Sequence, residues 1–201
     1  MEIEAKFYVK DLPKLAGRLE SLGAQIKHPR VLEENWRYDT PDKSLEAEYN
    51  LLRLRQAHKV TLTFKGPAKD IDGTSHRTEY ETEVSDIEQA RNLLGALGYV
   101  VTAKYEKYRT EYALPGLTIT LDEMPFGNFI EIEGLEIPEI KDTAEKLSLN
   151  WDANITENYL TLFSRLKQHI PIEGEFMTFV GLEGLVVIPG MLGVVAADII
   201  E

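Results

Sequence analysis

The amino-acid sequence predicts an α+β fold: a closed eight-stranded antiparallel β-barrel with helices packed outside it. Three observations lead there. Polar and apolar residues alternate with period two in eight separate segments, as strands do when their two faces meet different surroundings. Amphipathic stretches bounded by capping residues lie between them. The order strand, helix, strand, strand, strand occurs twice, with Glu4, Leu12, Leu19, Leu22 and Gly23 recurring as Glu79, Ile87, Leu94, Leu97 and Gly98. Two such halves suggest one closed sheet with pseudo-twofold symmetry.

The strands are expected at about 1–9, 34–39, 50–57, 59–66, 76–84, 105–113, 117–124 and 128–134. The helices are expected at about 12–22, 86–97, 139–148 and 156–169. The first has Asp11 as N-cap, Pro13 in its opening turn and Gly23 as its stop. The second opens on a capping-box pattern of Ser85 and Glu88 and ends at Gly98. The fourth is capped by Thr156 or Asn154 and sets Tyr159, Leu160, Phe163 and Leu166 on one face. The segment 66–75 reads as a hairpin loop. Residues 1–170 form the main domain. Residues 171–201 form an apolar tail, interrupted by Pro189, Gly190 and Gly193 and short of the roughly 20 apolar residues a spanning helix needs. It is expected to pack on the barrel or at an interface, such as that of a homodimer.

Composition narrows the function. The 201 residues carry a net charge of -12, which disfavours a nucleic-acid polymer or a membrane surface as partner. The acidic, alternating start MEIEAKF is no secretory signal. Absence of cysteine removes disulfides, thiol nucleophiles and zinc knuckles, and suits a cytoplasmic location.

The polar slots of the strands hold full charges of both signs in tight pairs. The basic set is Lys6, Arg53, Arg55, Lys65, Arg77, Lys107 and Arg109; the acidic set is Glu2, Glu4, Glu79, Glu81, Asp122, Glu131 and Glu133. Alternating strands ordinarily turn polar residues to water. A barrel whose apolar outside lies under helices can instead enclose a charged lumen. Clustered Lys and Arg match phosphate oxygens, and clustered carboxylates match hard divalent cations such as Mg²⁺ or Mn²⁺. A polyphosphate chain with its metals would satisfy both sets. Crowded carboxylates would repel one another, so neutralising one should leave the unliganded fold as stable or more so.

These residues resemble the CYTH family, the triphosphate tunnel metalloenzymes. The resemblance rests on MEIEAK at 1–6, YDTPDKSL at 38–45, LLRLR at 51–55, LTFKGP at 62–67, RTEYETEV at 77–84, KYRTEY at 107–112, LDEMPFGNFIEIEG at 121–134 and NYLTLF at 158–163. It implies a tunnel-forming barrel, Mg²⁺ or Mn²⁺ dependence, and a triphosphate-containing small molecule as substrate: inorganic triphosphate, ATP or thiamine triphosphate. It implies phosphate binding by Lys6, Arg53, Arg55, Lys65, Arg77, Lys107 and Arg109. Metal binding would fall to Glu2, Glu4, Glu79, Glu81, Asp122, Glu131 and Glu133, with catalysis centred on Lys6, Glu4 and Glu81. Hydrolysis of a triphosphate is the expected reaction; the alternative is a class IV-type adenylyl cyclase converting ATP to cyclic AMP and pyrophosphate. A non-catalytic polyphosphate binder and a barrel with a solvated charged face are the remaining alternatives.

Overall fold

A computed structural model describes residues 3–67, 69–71, 74–76, 78–172 and 176–198. The strands are β1 (Ile3–Val9), β2 (Gln25–Asp39), β3 (Leu51–Gln56), β4 (Val60–Lys65), β5 (Lys69–Ile71), β6 (Thr74–His76), β7 (Glu79–Val84), β8 (Val100–Leu114), β9 (Leu117–Met124), β10 (Gly127–Gly134), β11 (Asn154–Ile155) and β12 (Phe176–Met177). The α-helices are α1 (Leu12–Ser21), α2 (Ser44–Ala47), α3 (Ile87–Ala96), α4 (Ile137–Lys146) and α5 (Tyr159–Leu166).

The large sheet runs β11-β1-β10-β9-β8-β2-β3-β4-β7, with β12 joined to β8. β1 with β10 and β11, β9 with β10 and β8, β2 with β3, β3 with β4 and β4 with β7 all pair antiparallel, whereas β12 lies parallel to β8. The α+β class is therefore present. Closure into a barrel is not part of the hydrogen bonding, because the path ends at β11 and β7 without pairing them among the described residues. The expected 66–75 loop carries a two-stranded sheet of its own, β5 with β6.

The chain divides into two compact units. Unit 1 comprises 1–31, 107–173 and 182–201; unit 2 comprises 32–106 and 174–181.

In unit 1 the apolar slots of the strands, Ala5, Phe7 and Val9 on β1, Tyr112 on β8, Ile119 and Leu121 on β9, and Ile130 and Ile132 on β10, form one core. Leu15 and Leu19 of α1 and Ile140 and Ala144 of α4 pack into it. Each such large side chain, fully buried, contributes about 1.5–3 kcal/mol. The helix ends follow local chemistry. Asp11 accepts from the Lys14 amide at 2.9 Å and so caps α1. Gly23, at φ +82°, supplies the left-handed turn that ends it.

The end of the tail, from residue 182 on, belongs to the same unit and is fastened to it. The Ala197 amide donates to the Tyr8 carbonyl at 2.8 Å, and Asp198 Oδ2 accepts from the Lys10 and Asp11 amides at 2.7 and 2.9 Å. Asp198 thus holds the turn from which α1 starts. Asp198→Ala is expected to cost about 1–3 kcal/mol, read as a lower urea midpoint at unchanged m-value.

In unit 2, Trp36, Tyr38 and Leu54 on β2 and β3 pack against Ala90 and Leu94 of α3. Here the N-cap is Asp86, not Ser85: its carboxylate accepts from the Glu88 and Gln89 amides at 2.9 and 3.0 Å, which leaves no role for a Ser85 capping box. In unit 1 the fourth expected helix starts later than expected, because Asn158 rather than Thr156 or Asn154 accepts from the Thr161 amide at 3.0 Å. The YDTPDKSL motif has a structural task. Asp39 accepts from the amides of Thr40, Leu45 and Glu46 at 2.7–2.9 Å and folds the turn into α2. Burial pushes its carboxyl up, but these amides outweigh burial and hold it below the ordinary range.

Candidate functional site

The face of the unit 1 sheet opposite its core carries the charges. Register makes the arrangement regular: Lys6 lies opposite Glu131, which lies opposite Thr120; Glu4 lies opposite Glu133; Arg109 lies opposite Asp122. The face does not lie in bulk water. Asp122 is 0% exposed, Lys107 3% and Lys6 8%.

Groups this deep persist only with partners, and they have them. Asp122 accepts from Lys107 Nζ at 2.9 Å and from Arg109 through a fork of two 2.6 Å contacts. The Tyr159 hydroxyl donates to Asp122 Oδ2 at 3.0 Å. Glu131 meets Arg109 at 2.5 Å and Lys6 at 3.3 Å, and Lys6 meets Glu4 at 3.0 Å. Burial pushes the Asp122 carboxyl up, but Arg109 and Lys107 outweigh it and hold it well below the carboxylate range. Burial and the nearby Asp122 raise the Glu131 carboxyl; Arg109, Lys107 and Lys6 reverse this and leave it lowered. Burial lowers Lys6, yet Glu131 and Glu4 leave it raised overall. Asp122, Glu131 and Lys6 are therefore ionised at neutral pH.

Tyr159 had been legible only as part of an apolar helix face. Burial, with Asp122 and Glu131 near, raises its hydroxyl well above the usual range, so it stays a donor. Its ring lies 4.7 Å from Lys6 Nζ and 5.4 Å from Lys107 Nζ, near enough for cation–π attraction to both. It also packs edge-on to Phe129 at 5.0 Å and Phe126 at 6.4 Å. The signal in the sequence was a hydroxyl-bearing ring at the head of a helix face whose other members, Leu160, Phe163 and Leu166, are wholly apolar.

Unit 2 repeats the pattern. Its face opposite Leu54 carries Arg53, which approaches Glu81 at 4.0 Å and Thr63 at 3.5 Å, while Thr63 donates to Glu81 at 2.7 Å. The Arg53 Nε–H is buried without a hydrogen-bond partner. Arg55 pairs with Glu33 at 3.3 Å and donates to Asn35 at 3.0 Å; Lys65 meets Glu79 at 2.6 Å. Glu33 and Asn35 are both buried and were not among the site residues expected from the sequence; the strand expected at 34–39 began too late to include Glu33, and Asn35 carries no charge.

The structure thus brings Glu4, Lys6, Lys107, Arg109, Asp122, Glu131 and Glu133 onto one face of unit 1, and Arg53, Arg55, Lys65, Glu79 and Glu81 onto one face of unit 2. Glu2 and Arg77 lie outside the described residues. The carboxylates do not gather as a ready metal cage: among the described residues, no three acidic or histidine side chains form a metal-holding group. Asp122 in particular is surrounded by donors.

An antiparallel sheet whose apolar face lies under helices, and whose opposite face holds interlocked Lys, Arg and carboxylates, defines the class: a sheet protein with one charge-paired face. The chain belongs to the CYTH domain family, whose model matches residues 1–159. It is similar to the adenylate cyclase CyaB of Aeromonas hydrophila, at 27% identity over 174 residues covering 80% of this chain and 87% of that protein. A solved structure from Vibrio parahaemolyticus shares the fold, with TM-score 0.71, 22% identity and coverage of 81% of this chain and 97% of that one. So does a Hippeastrum protein in which a dominant triphosphatase activity is described, with TM-score 0.58, 21% identity and coverage of 82% and 95%. Members of this family are adenylyl cyclases or triphosphatases that act on ATP or triphosphate and generally depend on a divalent metal. No helix among the described residues is long and apolar enough to cross a membrane.

Proposed function

We propose that the protein is a divalent-metal-dependent enzyme that hydrolyses inorganic or organic triphosphate. The observation that supports this best is the cationic row of Lys6, Lys107 and Arg109, set on one sheet face and kept out of bulk water. Ionised groups at this depth cost desolvation, and active sites are where that cost is commonly met. The orphaned Nε–H of Arg53 points the same way, as a buried donor that a phosphate oxygen would satisfy.

The donor set fits a hard cation in kind. Every candidate ligand is a carboxylate, and Glu4 lies opposite Glu133 on the neighbouring strand, where like charges repel unless a cation offsets them. Glu4 and Glu133 would hold Mg²⁺ or Mn²⁺, which would supply neutralisation of phosphate oxygens. Lys6, Lys107 and Arg109 bind the non-bridging oxygens, and Asp122 and Glu131 hold those cations in place. In unit 2, Arg53, Arg55 and Lys65 form a second anion-holding group, oriented by Glu33, Asn35 and Glu81. Phosphoryl transfer is mostly positioning and charge stabilisation. Water forms the new P–O bond, its proton passes to Glu4, and the bridging P–O bond breaks with its electron pair leaving on diphosphate. The departing charge meets Lys6 and Arg109.

The likeness to the Aeromonas cyclase favours a second reading, in which the ATP 3′-hydroxyl attacks the α-phosphate and pyrophosphate leaves. One assay separates the two. The protein is incubated with triphosphate, ATP, GTP and thiamine triphosphate under Mg²⁺ or Mn²⁺, and the products are resolved. Free phosphate is the expected product, abolished by excess chelator; cyclic nucleotide with pyrophosphate would establish the cyclase. Turnover unchanged by chelator would remove the metal from the mechanism.

A further inference from the structure

The apolar face of the unit 2 sheet carries a pocket that triphosphate chemistry does not use. On β2, Glu34 and Trp36 alternate with Glu33 and Asn35, and so point away from the charged face. Gln56 lies opposite Glu34 in register and shares their side. Beside them α3 and the tail strand β12 border a cavity of about 520 Å³, within the range of small-molecule sites. Ile87 and Arg91 line it from α3, and Val101 and Phe176 line it from β8 and β12. Every lining residue belongs to unit 2. Phe176 comes from beyond residue 159, where the family match ends. Two contacts hold it there: β12 pairs with β8, which sets Phe176 opposite Lys104, and the Phe179 amide donates to Glu106 at 3.1 Å.

We infer that this pocket is a second ligand site and takes a flat aromatic acid, with its ring against Phe176, Ile87 and Val101 and its carboxylate on Arg91. The apolar lining alone would accept any ring of that size; charge selects among them. Two cations already stand over Trp36, the most deeply buried lining residue: Arg91 Cζ and Lys104 Nζ each lie 5.4 Å from its ring centre. A cationic ligand would come in against both, whereas an anion is attracted by both. The two cations differ in what they can give. Lys104 is tied to Glu34 at 2.9 Å and to Glu106 at 2.8 Å, which fixes it and offsets its charge. Arg91 meets Glu88 at 3.2 Å, and the Glu88 side chain is 69% exposed. An exposed pair of this kind holds weakly, so Arg91 can exchange Glu88 for a ligand at little cost. Its planar guanidinium matches a carboxylate through two parallel donors. Glu34 does not repel such an acid strongly, because Lys104 answers it.

The test is calorimetric titration of the full chain with three ligands that share one ring system and differ in charge: indole-3-acetate, indole-3-acetamide and tryptamine. Indole-3-acetate is expected to bind with a Kd of about 1 mM or below, the scale for a ligand of its size. The amide and the amine should each bind at least ~10-fold more weakly, the scale of one charge-assisted contact. Arg91→Gln should reduce the preference for the acid over the amide to below ~3-fold, since the forked cation is gone. Phe176→Ala should weaken acid and amide alike, by ~5-fold or more, through lost ring contact. Excess inorganic triphosphate with Mg²⁺ should leave the acid bound. No binding by any of the three ligands overturns the site. Tryptamine binding as tightly as the acid overturns the ligand class. An unchanged preference in Arg91→Gln overturns the role given to Arg91, and unchanged affinities in Phe176→Ala overturn the tail's part in the pocket. Displacement of the acid by triphosphate would put it on a charged face and overturn the second site, while leaving triphosphate binding standing.

Discussion

Glu131→Gln is expected to lower triphosphate turnover by roughly 100-fold or more at saturating metal and substrate, the scale seen when a key electrostatic group is lost. The substitution keeps size and most hydrogen-bonding capacity but removes the charge that Lys6 and Arg109 face at 3.3 and 2.5 Å. On a solvated strand face the same change would matter by less than about 0.5 kcal/mol and leave turnover alone. Steady-state kinetics separates these outcomes, and near-normal turnover would falsify the place given to β10 in the site. Alternation alone suggested that neutralising one carboxylate would relieve repulsion and preserve stability. The pairing changes the expected sign. Glu131 is matched by two cations, so its loss should destabilise the unliganded protein by about 1–3 kcal/mol, as expected for hydrogen bonds to charged groups.

Asp122→Asn should have the largest effect on the fold. The residue is fully buried and answers Lys107, Arg109 and Tyr159 together. Without its charge, Lys107 and Arg109 face each other less compensated, and removing one partner from a buried pair costs roughly 3–5 kcal/mol. Urea denaturation at neutral pH reads this directly. Acid provides a second readout. Asp122 and Glu131 both have lowered carboxyl values in the folded protein. The unfolded chain therefore binds more protons, and their stabilisation is present above the ordinary carboxyl value of about 4 and is lost as pH falls below it. Urea midpoints measured from neutral to acid pH should fall steeply for the unaltered protein and less steeply for Asp122→Asn. Equal acid slopes would mean that Asp122 is not held ionised by its partners.

Much of this molecule is written in short-range pattern. Period-two alternation located the long strands because each strand's two faces meet different surroundings, and Asp11, Pro13 and Gly23 bounded α1 because capping is a local matter of orphaned amides and one left-handed residue. Membership of the CYTH family was likewise legible, since its motifs are residue types at fixed spacing. Which charged residues share a face within each strand was legible for the same reason: residues two apart on a strand must share a face.

What alternation could not supply was the company each charge keeps. Asp122 reads from its motif as a metal ligand, yet its oxygens are occupied by Lys107, Arg109 and Tyr159, an arrangement that depends on strand register and on where α5 lands. Glu33 stayed hidden because the start of β2 is set by pairing with neighbouring strands rather than by its own sequence. Tyr159 is distant in sequence from both Lys6 and Lys107, and only the docking of α5 through Phe126, Phe129 and Phe163 carries it onto the charged face. Spacing along the chain decides which residues can share a face; packing between distant segments decides which charges are buried and which are paired.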